Sequence, residues 1–435
     1  MKRNHIFIAL VGLVQATLVQ ADLADAIDAA ANELNEQVVT WRRDIHQYPE
    51  LSNREFRTAK LVATHLESLG LEVQTEVAHT GVVGILRGGK PGGVVALRAD
   101  MDALPVVEKT GLPYASEETS EYEGNTVGVM HACGHDNHVA ILMAAAQVLT
   151  EVKDEIPGTI KFIFQPAEEG APKGEDGGAD LMIAEGVLTD PAPTAIFGLH
   201  IGQHGVAGTA NYRANGFMAS AQRFDIEIQG VQTHGARPWA GIDPIVVAAQ
   251  IVNSLQTIVS RQIDITSAPA VVTVGQFESG VRNNIIPDSA RLTGTIRTFD
   301  PETKKAIADK IQRIVDNTAE SFGATATLSI DRGSPVTFND AALTRAMTPT
   351  LERVYGRDQV LESVRITGAE DFSEYQRIVP GFFFFIGGRP ADVPVEKAIP
   401  NHSPMFDVDE SALFQGVLAM TNLAVDYLQA NSDKD

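Results

Sequence analysis

Cysteine is almost missing from this sequence: Cys133 is the single thiol in 435 residues. An internal disulfide is therefore excluded, and the chain must reach its stability without cross-links. Positive charge is also scarce, since 34 Lys and Arg face 56 Asp and Glu for a formal net charge of −22. So acidic a chain repels nucleic acid and anionic membranes, and no basic patch offsets the repulsion. Low-complexity runs are missing, and so is any repeat with a period of about 20–50 residues, which argues against a solenoid. What remains is the composition of an ordinary globular protein, 44% hydrophobic, at a length that exceeds one core and implies two domains.

The first residues stand apart. Lys2 and Arg3 precede a mostly apolar run from Ile6 to Val19, and Val19-Gln20-Ala21 has the small-x-small form of a cleavage site. This pattern predicts a signal peptide over 1–21, too short for a membrane span, and hence an exported protein, periplasmic or secreted. Cleavage would remove two positive charges and take the net charge from −22 to −24. A lone thiol in an oxidising compartment is a hazard unless it is buried or ligated.

That thiol sits in a dense polar stretch, Gly128-Val-Met-His-Ala-Cys-Gly-His-Asp-Asn-His138, with three of the chain's eleven histidines. Cys133 and His135, one small residue apart and followed by Asp136, offer the donors that a divalent metal of the zinc type prefers. The apolar run Val139–Leu149 predicts a helix directly after them, so both fall at its N-terminus, where the dipole favours a thiolate.

Unbroken apolar runs at 93–98, 159–164, 194–199 and 381–386 read as central strands of a largely parallel sheet. Asp100, Asp102, Glu168, Glu169, His200 and His402 each follow one of these runs. Open α/β sheets bind their ligands along that C-terminal edge. Between Phe217 and Val336 the texture changes to period-two strands at 224–228, 270–276, 290–298 and 324–331, with amphipathic helices at 244–261 and 301–323. Four strands with two helices predict a small open-faced α+β domain. The expected organisation is a catalytic α/β domain, 22–216 and 337–435, flanked by helices and interrupted by an inserted domain at 217–336.

Cys133, His135, Glu169, His200 and His402 exceed the three or four ligands of one tetrahedral zinc. Five donors imply two metals ~3.5–4 Å apart, and a thiolate can bridge them. If Glu168 and Glu169 are extended, they point in opposite directions, one to metal and one to substrate. A free carboxylate beside a metal-activated water is a natural general base.

At this point the chain resembles the aminoacylase/carboxypeptidase-type metallopeptidases, and within them the amidohydrolases of N-acyl amino acids such as hippurate and auxin-conjugate hydrolases. The resemblance rests on Arg98-Ala-Asp-Met-Asp-Ala-Leu-Pro105, Met130-His-Ala-Cys-Gly-His-Asp136, Gln165-Pro-Ala-Glu-Glu-Gly170, Gly198-Leu-His200, Asn284-Ile-Ile-Pro-Asp288, Gly294-Thr-Ile-Arg297, Gly368-Ala-Glu-Asp-Phe372 and Asn401-His-Ser403. It implies a two-metal hydrolase with an inserted lid that also dimerises, giving a homodimer or higher oligomer. Cys133 is then the metal bridge, His135, Glu169, His200 and His402 the ligands, Glu168 the base, and Asp102 a residue that orients a ligand. The resemblance further implies that His234 polarises the scissile carbonyl in a neighbouring subunit, and that Asn284 and Arg297 meet the substrate carboxylate. Zinc is the expected metal, with manganese, nickel or cobalt also compatible with these ligands. The substrate would be an N-acyl amino acid or a peptide-like molecule, with a dipeptidase or carboxypeptidase as the rival activity and a non-catalytic metal-containing binding protein as the rival outside enzymes. In the wider family a histidine ligand aligns with Asp100 and an aspartate bridge with Cys133, and Gly230-Val-Gln-Thr stands where Gly-Lys-Gly-Gly is frequent. For His46, His131, His138, Asp136 and Glu370 the sequence leaves capping, supporting and site roles open.

Overall fold

The computed structural model describes residues 4–432, with side chains described from Leu23 onward. The leader expected over 1–21 therefore lies outside the residues whose side chains are described. Among the described residues, no helix is long and apolar enough to cross a membrane.

The chain forms two compact units. The first comprises residues up to Ala214, Asn339–Ser363 and Tyr375–Asp435. Its centre is an eight-stranded sheet in the order Glu72–Val77, Gly81–Arg87, Pro157–Gln165, Lys90–Asp100, Ala195–Val206, Gly381–Arg389, Ala210–Tyr212, Val360–Glu362. The four central strands, Pro157–Gln165 to Gly381–Arg389, run parallel to one another. They are the apolar runs of the sequence, and burial on both faces explains why they do not alternate. Glu72–Val77 and Gly81–Arg87 form an antiparallel pair at one edge.

The helices His135–Glu151, apolar after its first turn, and Ala412–Asn431 are largely buried and cover the sheet, and the long helix Asn4–Gln47 packs on both of them. Ala412–Asn431 and Ala341–Tyr355 are elements that the sequence reading leaves unassigned. Register aligns the strand ends: Asp100 pairs with Gln165, and His200 with Phe385. Residues just beyond those positions are consequently delivered to one edge.

The second unit comprises Asn215–Phe338 and Val364–Glu374. The sequence reading leaves Val364–Glu374 with the catalytic part; it joins this unit through the bridge from Ile366 to Met218 and the hydrogen bonds of the Ala219 amide to Ile366 and Gly368. A four-stranded antiparallel sheet runs Ala270–Ser279, Ser289–Thr298, Gln222–Gln229, Thr325–Ile330. Phe224, Ile226 and Ile228 alternate inward and pack on Val247, Ile251, Ile307 and Ile311 of the helices Pro244–Thr257 and Pro301–Ser321. Each helix starts with an Asp cap followed by Pro: the carboxylates of Asp243 and Asp300 accept the amides of Ile245 and Thr303 at 2.9 and 2.7 Å.

Candidate metal centre

The first unit brings Cys133, His135, Glu168, Glu169, His200 and His402 to the C-terminal edge of its sheet. Ligand atoms of Cys133, His135 and His200 lie within 4.8 Å of one another, and so do those of Cys133, Glu169 and His402. The Cys133 thiol belongs to both sets, with Sγ 3.4 Å from His200 Nε2 and 3.3 Å from His402 Nε2. A third set joins His135, Glu168 and Glu169.

Local backbone geometry aims these donors. Gly134 is left-handed at φ 95°, and a Cβ there would come within 2.7 Å of Ile201 Cγ2, so only glycine fits between Cys133 and His135. His402 is also left-handed, at φ 70°, and its amide donates to the Ala132 carbonyl at 2.7 Å. Beside it, Asn401 Nδ2 donates to the carbonyls of Cys133 and Ile201 at 2.8 and 3.2 Å, tying the His402 loop to the strand ends.

The tautomers follow from the partners. His135 Nδ1 donates to the Asp102 carbonyl at 2.8 Å, and His200 Nδ1 to the Ile201 carbonyl at 2.7 Å. In both rings Nε2 is then the nitrogen left to face the cluster. His135 Nε2 is buried without a hydrogen-bond partner, and Asp100 Oδ2 and Glu168 Oε2 lie 3.8 Å from it.

Glu168 and Glu169 are not extended, contrary to the expectation from sequence. They occupy a turn that begins at Ala167, whose φ is 54°. Three successive amides in it meet buried carboxylates. Ala167 N donates to Glu55 at 3.0 Å, and Glu168 N and Glu169 N donate to the two oxygens of Asp102 at 3.1 and 3.0 Å. Captured in this way, both glutamates stay near His135 instead of diverging. Asp102, which also accepts from the Ser52 hydroxyl at 2.7 Å, is thus a positioning residue.

The electrostatics ask for a cation. Burial pushes the Cys133 thiol well up, and Glu169 and Glu168 push it further, so the protein alone does not stabilise a thiolate. Burial would lower His135, but Asp100 and Asp102 outweigh it and hold the imidazole up at about 10. A buried set of sulfur, imidazole and carboxylate donors, with an orphaned Nε2 facing it, fits a divalent metal.

The remaining polar residues divide clearly. His138 is fully occupied: Nδ1 donates to Asp100 at 2.5 Å and Nε2 accepts the Ile201 amide at 2.8 Å. Asp100 in turn holds the buried Arg98 at 2.6 Å. Asp136 is engaged by Arg42 and His46, each at 2.9 Å, while His46 Nε2 lies 3.2 Å from Glu108. His131 is buried, and neither ring nitrogen has a hydrogen-bond partner. In the second unit, the Glu370 carboxylate accepts the Phe372 amide at 3.0 Å.

His234 and Asn284 also lie in the second unit, on exposed backbone brought together by a two-residue ladder. His234 pairs with Ile285, and the Gly235 amide donates to the Asn284 carbonyl at 2.8 Å. Arg297 is half-buried on the Ser289–Thr298 strand, opposite Val271.

An edge-of-sheet cradle of this composition, with carboxylates beside it, defines a metal-dependent amidohydrolase. The chain belongs to Peptidase family M20/M25/M40, whose sequence profile matches residues 96–426. It is 41% identical to thermostable carboxypeptidase 1 of Saccharolobus solfataricus over 411 residues, covering 93% of this chain and 99% of that protein. It is 36% identical over 400 residues to an N-acetyl-L-cysteine deacetylase of Bacillus subtilis, covering 92% and 90% of the two chains. Among solved structures, a dinuclear metal-binding peptidase of the M20 family from Bacillus subtilis aligns with a TM-score of 0.76 at 34% identity, over 92% of this chain and 99% of that one.

Proposed function

We propose that the protein is a two-metal amidohydrolase that splits N-acyl amino acids into a carboxylic acid and a free amino acid. The observation that carries this reading is the pair of donor sets sharing Cys133, with Glu168 alongside. Cys133, His135 and His200 would hold one ion, and Cys133, Glu169 and His402 the other. When bound, two such ions lower the pKa of a water to ~7 and polarise the scissile carbonyl.

The protein's own part is proton transfer and orientation. Glu168 takes a proton from the attacking water and returns it to the amide nitrogen as the carbon–nitrogen bond breaks. His234 Nδ1 accepts the Ala236 amide at 2.9 Å, which leaves Nε2–H as the outward donor, the form needed to hydrogen-bond a developing oxyanion. That donor would be supplied to the site by a partner subunit's His234 in a homodimer. Asn284 and Arg297 would receive the free carboxylate of the substrate. The leader-like N-terminus supports export of the mature enzyme, and a thiol that is buried is compatible with an oxidising compartment.

A carboxypeptidase or dipeptidase reading is favoured by the similarity to the carboxypeptidase of Saccharolobus solfataricus. The two separate on the free α-amine: faster cleavage of dipeptides than of N-acyl amino acids assigns the protein to the peptidases. Glu168→Gln tests the base. An N-acyl amino acid panel should show a loss of about 10²–10⁴-fold in kcat with metal content unchanged; a variant that keeps most of its activity ends the assignment.

A further inference from the structure

A cavity meets the metal cradle within the first unit. It encloses about 710 Å³ and includes Glu169 in its lining. Leu51, Ala103, Leu104, Pro105 and Pro172 are in its lining, together with Tyr122 from the hairpin formed by Thr119–Tyr122 and Asn125–Gly128. The hairpin closes through Glu123 and Gly124, both left-handed at φ 49° and 77°, the turn geometry that matches strand twist. Leu104 is joined rigidly to the cradle, since its backbone exchanges hydrogen bonds of 3.0 Å in both directions with Met130, three residues before Cys133.

The charges around this cavity decide which half of a substrate it takes. Glu121 and Glu123 line it and repel a free α-carboxylate. Of its two cations, Arg54 is engaged bidentately by Glu175 at 2.6 and 3.1 Å, and Lys173 is exposed. Within this lining, Leu51, Ala103, Leu104, Pro105, Tyr122 and Pro172 are the residues that give an uncharged group apolar contact.

We infer that the Leu104–Tyr122 cavity is the acyl-group subsite and that it selects bulky apolar acyl chains or rings over acetyl. This rests on the N-acyl amino acid reading above. The volume lies within the range of about 300–1,000 Å³ typical of small-molecule pockets, well beyond the needs of an acetyl group. Tyr122 and Leu104 are the specificity-determining residues.

The experiment measures kcat/KM of the metal-loaded enzyme on N-acetyl-, N-hexanoyl-, N-decanoyl-, N-benzoyl- and N-succinyl-glycine. Along the linear series it should rise about fourfold per buried methylene until the cavity is filled. Tyr122→Ala should lower the decanoyl-to-acetyl ratio by about tenfold. A folding defect lowers both substrates together and leaves that ratio unchanged. Calorimetric binding of decanoate, which needs no turnover, should weaken in the same variant. Preference for N-acetyl or N-succinyl substrates, or a ratio unmoved by Tyr122→Ala, overturns the subsite while leaving the N-acyl reading intact. Failure to cleave any member of the series removes both.

Discussion

The two units handle their candidate functional residues in opposite ways. In the first, the rings of His135 and His200 are buried and pinned through Nδ1 to main-chain carbonyls, and the glutamate turn is held by Asp102 and Glu55. In the second, His234 and Asn284 are exposed on a short two-stranded ladder. A buried polar group must find its partners within its own chain or from a bound ion, so its orientation can be read from one molecule. An exposed donor satisfies itself with water until something else arrives. The contrast separates a preorganised centre from exposed groups that the proposed function completes with substrate or with a second copy.

The strongest test of that contrast is His234→Ala. Loss of one oxyanion donor should lower kcat by about 10²–10³-fold. Mixed with Glu168→Gln chains, the His234→Ala protein should regain roughly a quarter of wild-type activity, because in the proposed homodimer each mixed dimer would hold one site with both groups intact. No recovery would place His234 within its own subunit's chemistry and erase the distinction drawn here. A smaller effect is expected inside the first unit. Asp102→Asn replaces an acceptor of two amides with a group that is half donor, which loosens the turn carrying Glu168 and Glu169. Metal affinity should fall by about 10–100-fold, read as metal retained after dialysis against a graded chelator, with the circular dichroism spectrum preserved. Unchanged retention would mean that the turn holds without its clamp.

Much of the fold was legible because it is encoded locally. The four central strands are apolar runs, and Asp100, Asp102, Glu168, Glu169, His200 and His402 each follow one of them, so their shared edge could be inferred without knowing strand order. The inserted sheet announced itself by period-two alternation, as at Phe224, Ile226 and Ile228. What stayed hidden depends on distant partners. The turn at Glu168 is set by Asp102 and Glu55, which lie 66 and 113 positions earlier in the chain. The hairpin that carries Tyr122 is short, charged and largely exposed, and so lacks the apolar pattern by which strands are recognised. Asp136 beside His135 looked equally able to ligate or to cap, and only the arrival of Arg42 and His46 shows that its carboxylate is already engaged.

That last cluster yields the mildest prediction and the one most confined to the first unit. Burial alone would push the His46 imidazole down, but Asp136, followed by Glu108, outweighs burial and holds it up at about 9. In the unfolded chain a histidine titrates near ~6.5. The folded state therefore binds this proton more tightly, and the resulting stability is fully present below ~6.5 and lost as pH rises through about 9. The difference corresponds to about 3 kcal/mol at most. Asp136 does not contribute in that window, because its carboxyl is held well below the usual range and titrates only in acid. Arg42 still faces it when His46 is neutral, so the helix start should survive with its charge half-matched. His46→Gln keeps a hydrogen-bonding side chain but removes the titration. Urea midpoints measured from pH 6 to 10 should then fall more steeply for wild type than for His46→Gln, with the curves converging above about 9. Parallel curves for the two proteins would show that the buried ion-pair cluster does not set the pH dependence of the first unit.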